Sequence, residues 1–200
     1  MPHDCILVTG FEPFGGQTVN PSWLCVSALP DTLAGVRVER RLLPVDWRGG
    51  PAALLDALRE TAPAAVLCVG QAGGRAELSL ERVAVNLRAG ADNAGVAQDE
   101  QPVAAGGPAA YFSTLPCAEM LAALRAQAIP AACSYSAGVY LCNCVMYTAL
   151  HFAAAERPAL RAGFLHVPFL PEQTQTAPSM ARETMARGVL LCAEVLARHV

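Results

Sequence analysis

Lysine is absent from this 200-residue chain: all 14 basic residues are arginine. That excludes Schiff-base chemistry, a lysine general base and the lysine of an ATP-binding P-loop. Charge of either sign is sparse, with 16% charged against 54% hydrophobic residues and a net charge of −3. No basic cluster stands out, which argues against a nucleic-acid partner. No apolar run reaches membrane-spanning length. The N-terminus MPHDCILVTGF lacks a basic region followed by a cleavable apolar segment. The chain therefore reads as a soluble, cytoplasmic protein with no membrane partner. Linkers, repeats and low-complexity tracts are missing too, so one domain over 1–200 is expected.

Cysteine, by contrast, is plentiful. Of the eight, Cys5, Cys68 and Cys192 sit inside apolar runs, and no two are spaced Cys-x-x-Cys. Cys142 and Cys144 are too close for a zinc knuckle and no histidine pair accompanies them. Free thiols in a reducing compartment, with no metal site, are the expectation.

Strand-like runs fall at 5–11, 36–45, 64–70, 78–88 and 163–170, with a shorter one at 132–136. Helical periodicity marks 21–29, 50–61, 117–127, 142–156 and 176–199. The alternation predicts an α/β fold, an α/β/α sandwich around a twisted, mostly parallel open sheet. The run at 78–88 reads as a hairpin or edge strand, and 91–110 as the main irregular stretch. In such folds ligands sit beyond the carboxyl ends of strands. Three strand ends carry unusual chemistry: GFEPFGG, GQAGGR and HVPF.

Within SYSAGVYLCNCVMYTALHF, an apolar run gives way to helical periodicity at Cys142. A thiol there meets unpaired backbone N–H groups and the positive end of the helix dipole, both of which favour thiolate. The competing reading is a buried cysteine packed as a small apolar group. A cysteine nucleophile needs an imidazole to exchange protons with and an acceptor that orients it. His166 in GFLHVPFLPEQ is the best imidazole, because His3 and His199 lie near the chain ends and His151 is about 13 Å along the helix from Cys142. Glu81, a carboxylate among apolar neighbours in AELSLERVAVN, is the candidate acceptor; its alternative is an edge residue paired to Arg82 or Arg88. Cys144 lies roughly 200° around the helix from Cys142 and belongs to another environment. Phe11 and Phe14, flanking Pro13, suggest the wall of a small apolar pocket. Gln71 offers an amide to a polar small ligand, because neither glycine-rich loop has phosphate or dinucleotide spacing.

The blocks VTGFEPFGG…NPS, GQAGGRAELSLERVAVN, SYSAGVYLCN and GFLHVPFLPEQ closely resemble, in order and spacing, the pyroglutamyl peptidase I (pyrrolidone-carboxylate peptidase) family. The resemblance implies an α/β/α sandwich with no cofactor, assembled as a homo-oligomer (tetramer or dimer), that acts on N-terminally pyroglutamylated peptides. It places the nucleophile on Cys142, the acid on Glu81 and the histidine on His166. The lactam pocket falls to Phe11, Phe14 and Gln71. One departure stands out. The family pattern carries an arginine five residues after the position of Asn86, whereas NLRAGADNAG is two residues shorter and reads Ala89-Gly90-Ala91 there. Arg88, or backbone amides at Cys142, would have to serve the oxyanion; losing one such donor raises a barrier by about 2.7–4 kcal/mol. Two rival readings follow: a catalytically impaired pyroglutamate- or peptide-binding protein, and a nucleoside-phosphorylase-like enzyme on a related scaffold.

Overall fold

The computed structural model describes residues 5–200. In chain order the elements are β1 (Cys5–Phe11), α1 (Pro21–Ser27), β2 (Thr32–Leu33), β3 (Val36–Leu43), α2 (Gly49–Thr61) and β4 (Ala65–Gln71). Then come β5 (Leu78–Glu81), β6 (Val83–Val85), β7 (Arg88–Ala91), β8 (Ala97–Gln101), β9 (Ala110–Phe112) and α3 (Cys117–Ala126). The chain closes with β10 (Ala131–Ser134), α4 (Leu141–Glu156), β11 (Arg161–Val167) and α5 (Arg182–Ala197).

Seven strands form the central sheet in the order β10-β5-β11-β4-β1-β3-β2. Neighbours run parallel except β5 with β11 and β2 with β3. This is the α/β architecture that the sequence pattern predicts. The central strands β1 and β4 are buried along their whole length because helices cover both faces. Successive side chains alternate between the faces. Ile6, Val8, Leu67, Val69, Leu165 and Val167 join α1, α3 and α5 in one core layer. Leu7, Val66, Cys68 and Phe164 join α2 and α4 in the other. Each fully buried aliphatic side chain contributes about 1.5–3 kcal/mol relative to exposure, so both layers are needed to hold the sheet. No helix among the described residues is long and apolar enough to cross a membrane.

Three stretches differ from the expectation. The run at 78–88 is broken into β5, β6 and β7, and β5 is no edge: β10 and β11 flank it. After Glu81 the chain leaves the sheet, with the Arg82 N–H donating to the Ser134 carbonyl at 2.7 Å. The 91–110 stretch is ordered, because β8 pairs with β7 as a hairpin. Asp92 staples that hairpin down, accepting the N–H groups of Trp47, Ala94 and Val96. The last helix starts at Arg182, not 176, because the preceding segment extends to reach β11's exit; the Met180 N–H donates to the Phe169 carbonyl at 2.9 Å.

Candidate active site

Parallel strands β1, β4 and β11 end at one edge of the sheet, and the start of α4 arrives over that edge. Close approach is possible because β4 has Gly70 there. A Cβ on Gly70 would lie 2.9 Å from Cys142 Sγ and 2.6 Å from the Phe164 ring. Gly70 is the ladder partner of His166, so the thiol lies over one strand and the imidazole rises from the next on the same face, the two strands about 4.8 Å apart. Cys142 is the second residue of α4, whose first turn carries no acidic side chain and no side-chain cap. Its leading N–H groups therefore stay open to a ligand.

His166 is buried at 3% exposure and Glu81 at 0%. His166 pairs with Ser79 across the antiparallel β5–β11 ladder, so Glu81 stands two residues further along on the same face. The His166 Nδ1–H donates to Glu81 Oε1 at 2.7 Å. That fixes the tautomer and leaves Nε2 as the basic nitrogen. Arg75, from the GQAGGR loop, donates to the same oxygen at 2.6 Å and to the Ser136 carbonyl at 3.2 Å. Neither Arg82 nor Arg88 is the partner of Glu81. Both donors converge on Oε1, leaving Oε2 without a hydrogen-bond partner. Ser134 also favours the charged carboxylate, although its hydroxyl is donated to the Ser136 carbonyl at 3.3 Å.

Opposing electrostatic effects act on Cys142. Burial pushes the Cys142 thiol up to about 12, and the negative charge of Glu81 adds to it; Arg75 and the residue's own backbone N–H pull the other way. Desolvation thus opposes the helix terminus at this sulfur. Burial also holds His166 below its ordinary range, with Glu81 opposing and Arg75 reinforcing the shift. Burial alone would raise Glu81, but the hydrogen bond and charge of His166, with Ser134 and Arg75, hold it below the usual carboxylate range.

Beside the thiol lies a pocket of about 40 Å³ lined by Phe11, Phe14, Asn20, Val45, Gln71, Tyr140, Leu141 and Cys142. Phe14 and Tyr140 face each other across it, ring centroids 6.4 Å apart. Gly15 and Gly16, at φ +61 and +78, supply the left-handed turn that follows Phe14. Asn20 caps α1 through the Ser22 N–H, and the Ser22 hydroxyl accepts the Phe11 N–H at 3.0 Å, so the pocket floor is pinned to β1. The structure thus brings Phe11, Phe14 and Gln71 together around Cys142. Larger cavities lie elsewhere. The one of about 430 Å³ is walled by Trp47, Arg88 and Asp92, and it is from there that Arg88 acts on Cys144. The guanidinium that acts on Cys142 belongs to Arg75.

The remaining candidates sit apart. His151 Nδ1 bonds the Tyr111 hydroxyl at 2.9 Å, His199 pairs with Glu119, and His3 lies outside the described residues. Cys144 is buried in the α2–α4 layer. Sequence reasoning missed Arg75, Tyr140 and Asn143. Asn143, fully buried, accepts the Val85 N–H at 2.9 Å and donates to the Val85 and Leu87 carbonyls, tying the start of α4 to β6. An asparagine at the start of a helix, in an otherwise apolar run, was the available signal.

The profile of the pyroglutamyl peptidase family matches residues 4–199, nearly the whole chain. The chain belongs to that family. The pyrrolidone-carboxylate peptidase of Thermococcus onnurineus is 47% identical over 187 residues, 92% of this chain and 94% of the relative. That of Chromobacterium violaceum is 50% identical over 179 residues, 86% and 81% of the two chains. Among solved structures, pyroglutamyl peptidase I of Bacillus amyloliquefaciens superposes with a TM-score of 0.94 at 36% identity, covering 98% of this chain and 97% of its own. Family membership also supports the α/β fold over nearly the entire length.

Proposed function

We propose that this pyroglutamyl peptidase family member hydrolyses the peptide bond after an N-terminal pyroglutamate, with Cys142 as nucleophile, His166 as proton carrier and Glu81 as the orienting carboxylate. The observation that carries the assignment is the placement of the Cys142 thiol over Gly70, beside an imidazole held by a buried carboxylate.

His166 Nε2 takes the thiol proton, and Sγ attacks the scissile carbonyl carbon. The resulting imidazolium is stabilised by Glu81, whose charge is kept by Arg75 and the His166 hydrogen bond. The α4 first-turn amides face the developing oxyanion in place of the family's arginine. His166 returns the proton to the leaving amine as the C–N bond breaks, giving a thioester. Water, deprotonated by His166, then attacks the thioester carbon; pyroglutamate leaves and Sγ regains its proton. Selectivity comes from the pocket: a neutral lactam fits walls of Phe11, Phe14 and Tyr140, whereas a free α-ammonium would be desolvated there without a partner.

The substrates are N-terminally pyroglutamylated peptides and the setting is the cytoplasm, with residues 1–200 as one domain. Self-association into a tetramer or dimer fits the exposed rings of Phe112 and Tyr135. Family membership favours this reading over a binding-only protein or a nucleoside phosphorylase. A pyroglutamyl-amide reporter tests it: Cys142→Ser abolishes release, while Cys144→Ser stays within a few-fold of wild type. Equal loss in both variants, or an inactive wild type, sinks the assignment.

A further inference from the structure

Gln71 ends β4 and lines the pocket next to Cys142. The orientation of its amide is set by hydrogen bonds that begin outside the site. At the turn Pro171–Gln173, Gln173 Oε1 accepts the Leu170 N–H at 2.9 Å. Its Nε2 donates to the Val19 carbonyl at 3.3 Å and to Gln71 Oε1 at 3.0 Å. A backbone N–H can only donate and a backbone carbonyl can only accept. Gln173 is therefore locked one way round, and Gln71 must turn its oxygen towards it. The other half of the Gln71 amide, Nε2, has no protein partner among the described residues and is not among the fully enclosed unpartnered polar atoms.

We propose that Gln173 is a specificity-determining positioning residue: by holding Gln71 Oε1 it presents Gln71 Nε2 to the pocket as a hydrogen-bond donor, matched to the carbonyl oxygen of a lactam. A donor at this point discriminates by chemistry as well as by size. An N-terminal proline has a ring of the same size but a methylene where the lactam has its carbonyl, so the Gln71 N–H finds no acceptor, and its charged ring nitrogen must also be desolvated. An all-carbon ring leaves the Gln71 N–H desolvated and unpaired, which penalises it. The inference rests on the pyroglutamyl peptidase reading and says which pocket group enforces it.

Gln173→Glu keeps an acceptor for the Leu170 N–H, so the turn stays capped, but has no donor for Gln71. Steady-state kinetics of the full chain with a pyroglutamyl anilide give the test. KM rises about tenfold, the size of one hydrogen bond, with kcat within a few-fold of wild type. Gln71→Leu shows the same split, and the Gln71→Leu/Gln173→Glu double variant loses no more than the worse single. Inhibition by 2-pyrrolidone weakens by the same factor. If Gln173→Glu does not fold, Gln173→Met removes the donor at similar length and is read by the same split. An active wild type whose KM is unchanged by either Gln173 variant overturns the inference, as do losses that multiply in the double variant. A wild type unable to cleave the anilide overturns the functional reading itself.

Discussion

The two faces of the central sheet are made by the same strands and carry cysteines on both sides, yet they end differently. On the α1–α3–α5 side, Cys192 is buried in an apolar layer and its thiol is pushed up to about 12, with Cys117 as its only other ionisable influence. On the α2–α4 side Cys142 is pushed equally high, but Glu81, Arg75 and His166 stand around it. The two thiols are shifted in the same direction and have different neighbours. Partial exposure sets Cys142 apart from Cys192, but Cys133 shares it, so exposure alone does not single out the reactive cysteine. What does is a base within reach on the same sheet face, and a gap in the side-chain layer, at Gly70, through which sulfur approaches it.

That contrast can be broken in order of effect. Glu81→Gln keeps the volume but removes the charge that stabilises imidazolium, so kcat drops by about 10²–10⁴-fold with the fold intact by circular dichroism; full activity would exclude Glu81 from the chemistry. Gly70→Ala fills the gap, displacing Sγ and the Phe164 ring; kcat falls by about 10²-fold, as for a misplacement near 1 Å. A Gly70→Ala enzyme as fast as wild type would mean that thiol and imidazole do not meet over this residue. On the opposite face, Cys192→Ser buries a hydroxyl in an apolar layer and lowers stability by about 1–3 kcal/mol, while kcat/KM does not change. Chemical denaturation and the reporter assay separate the two readouts.

The mildest effect is that of pH. Activity needs a neutral imidazole, and His166 is held below 6.5. The rate therefore falls only as pH drops through a midpoint under that value, and thiol ionisation adds no further rise across the neutral range. Stability follows the same sign. The unfolded chain protonates its histidine near 6.5 before the fold does, and Glu81, held below 4.5, releases its contribution at still lower pH. Acid thus weakens fold and activity together; a rate limb rising between pH 7 and 9 would point to a thiolate mechanism instead.

Much of this was legible from residue order. Long periodic segments gave their elements directly: β1, β4, α2 and α4 lie within a residue or two of the expected bounds. Element type failed where tertiary contacts override local pattern. Apolar alternation from 78 to 88 reads as one strand, but past Glu81 the chain leaves the central sheet to pair with β9. The polar β7–β8 hairpin has no apolar face to announce it and is held by Asp92. Cys142, His166 and Glu81 are legible because a thiol, an imidazole and a carboxylate in apolar surroundings are each conspicuous. Arg75 is not, since only the folded loop brings it to Glu81. Tyr140 reads as one more aromatic in an apolar run, and Gln173 as a polar turn residue.

The reversed direction of β5 has a consequence for the medium in which the chain works. Running against β11, the strand sets Glu81, which has no exposed surface, beside the nearly buried His166 on the same sheet face. Ions at the rim reach the partly exposed Arg75 but not the enclosed Glu81–His166 contact, and Coulomb forces between enclosed groups are little screened. Ring orientation is thereby insulated from ionic strength, and only the encounter with substrate is left to feel the salt around it.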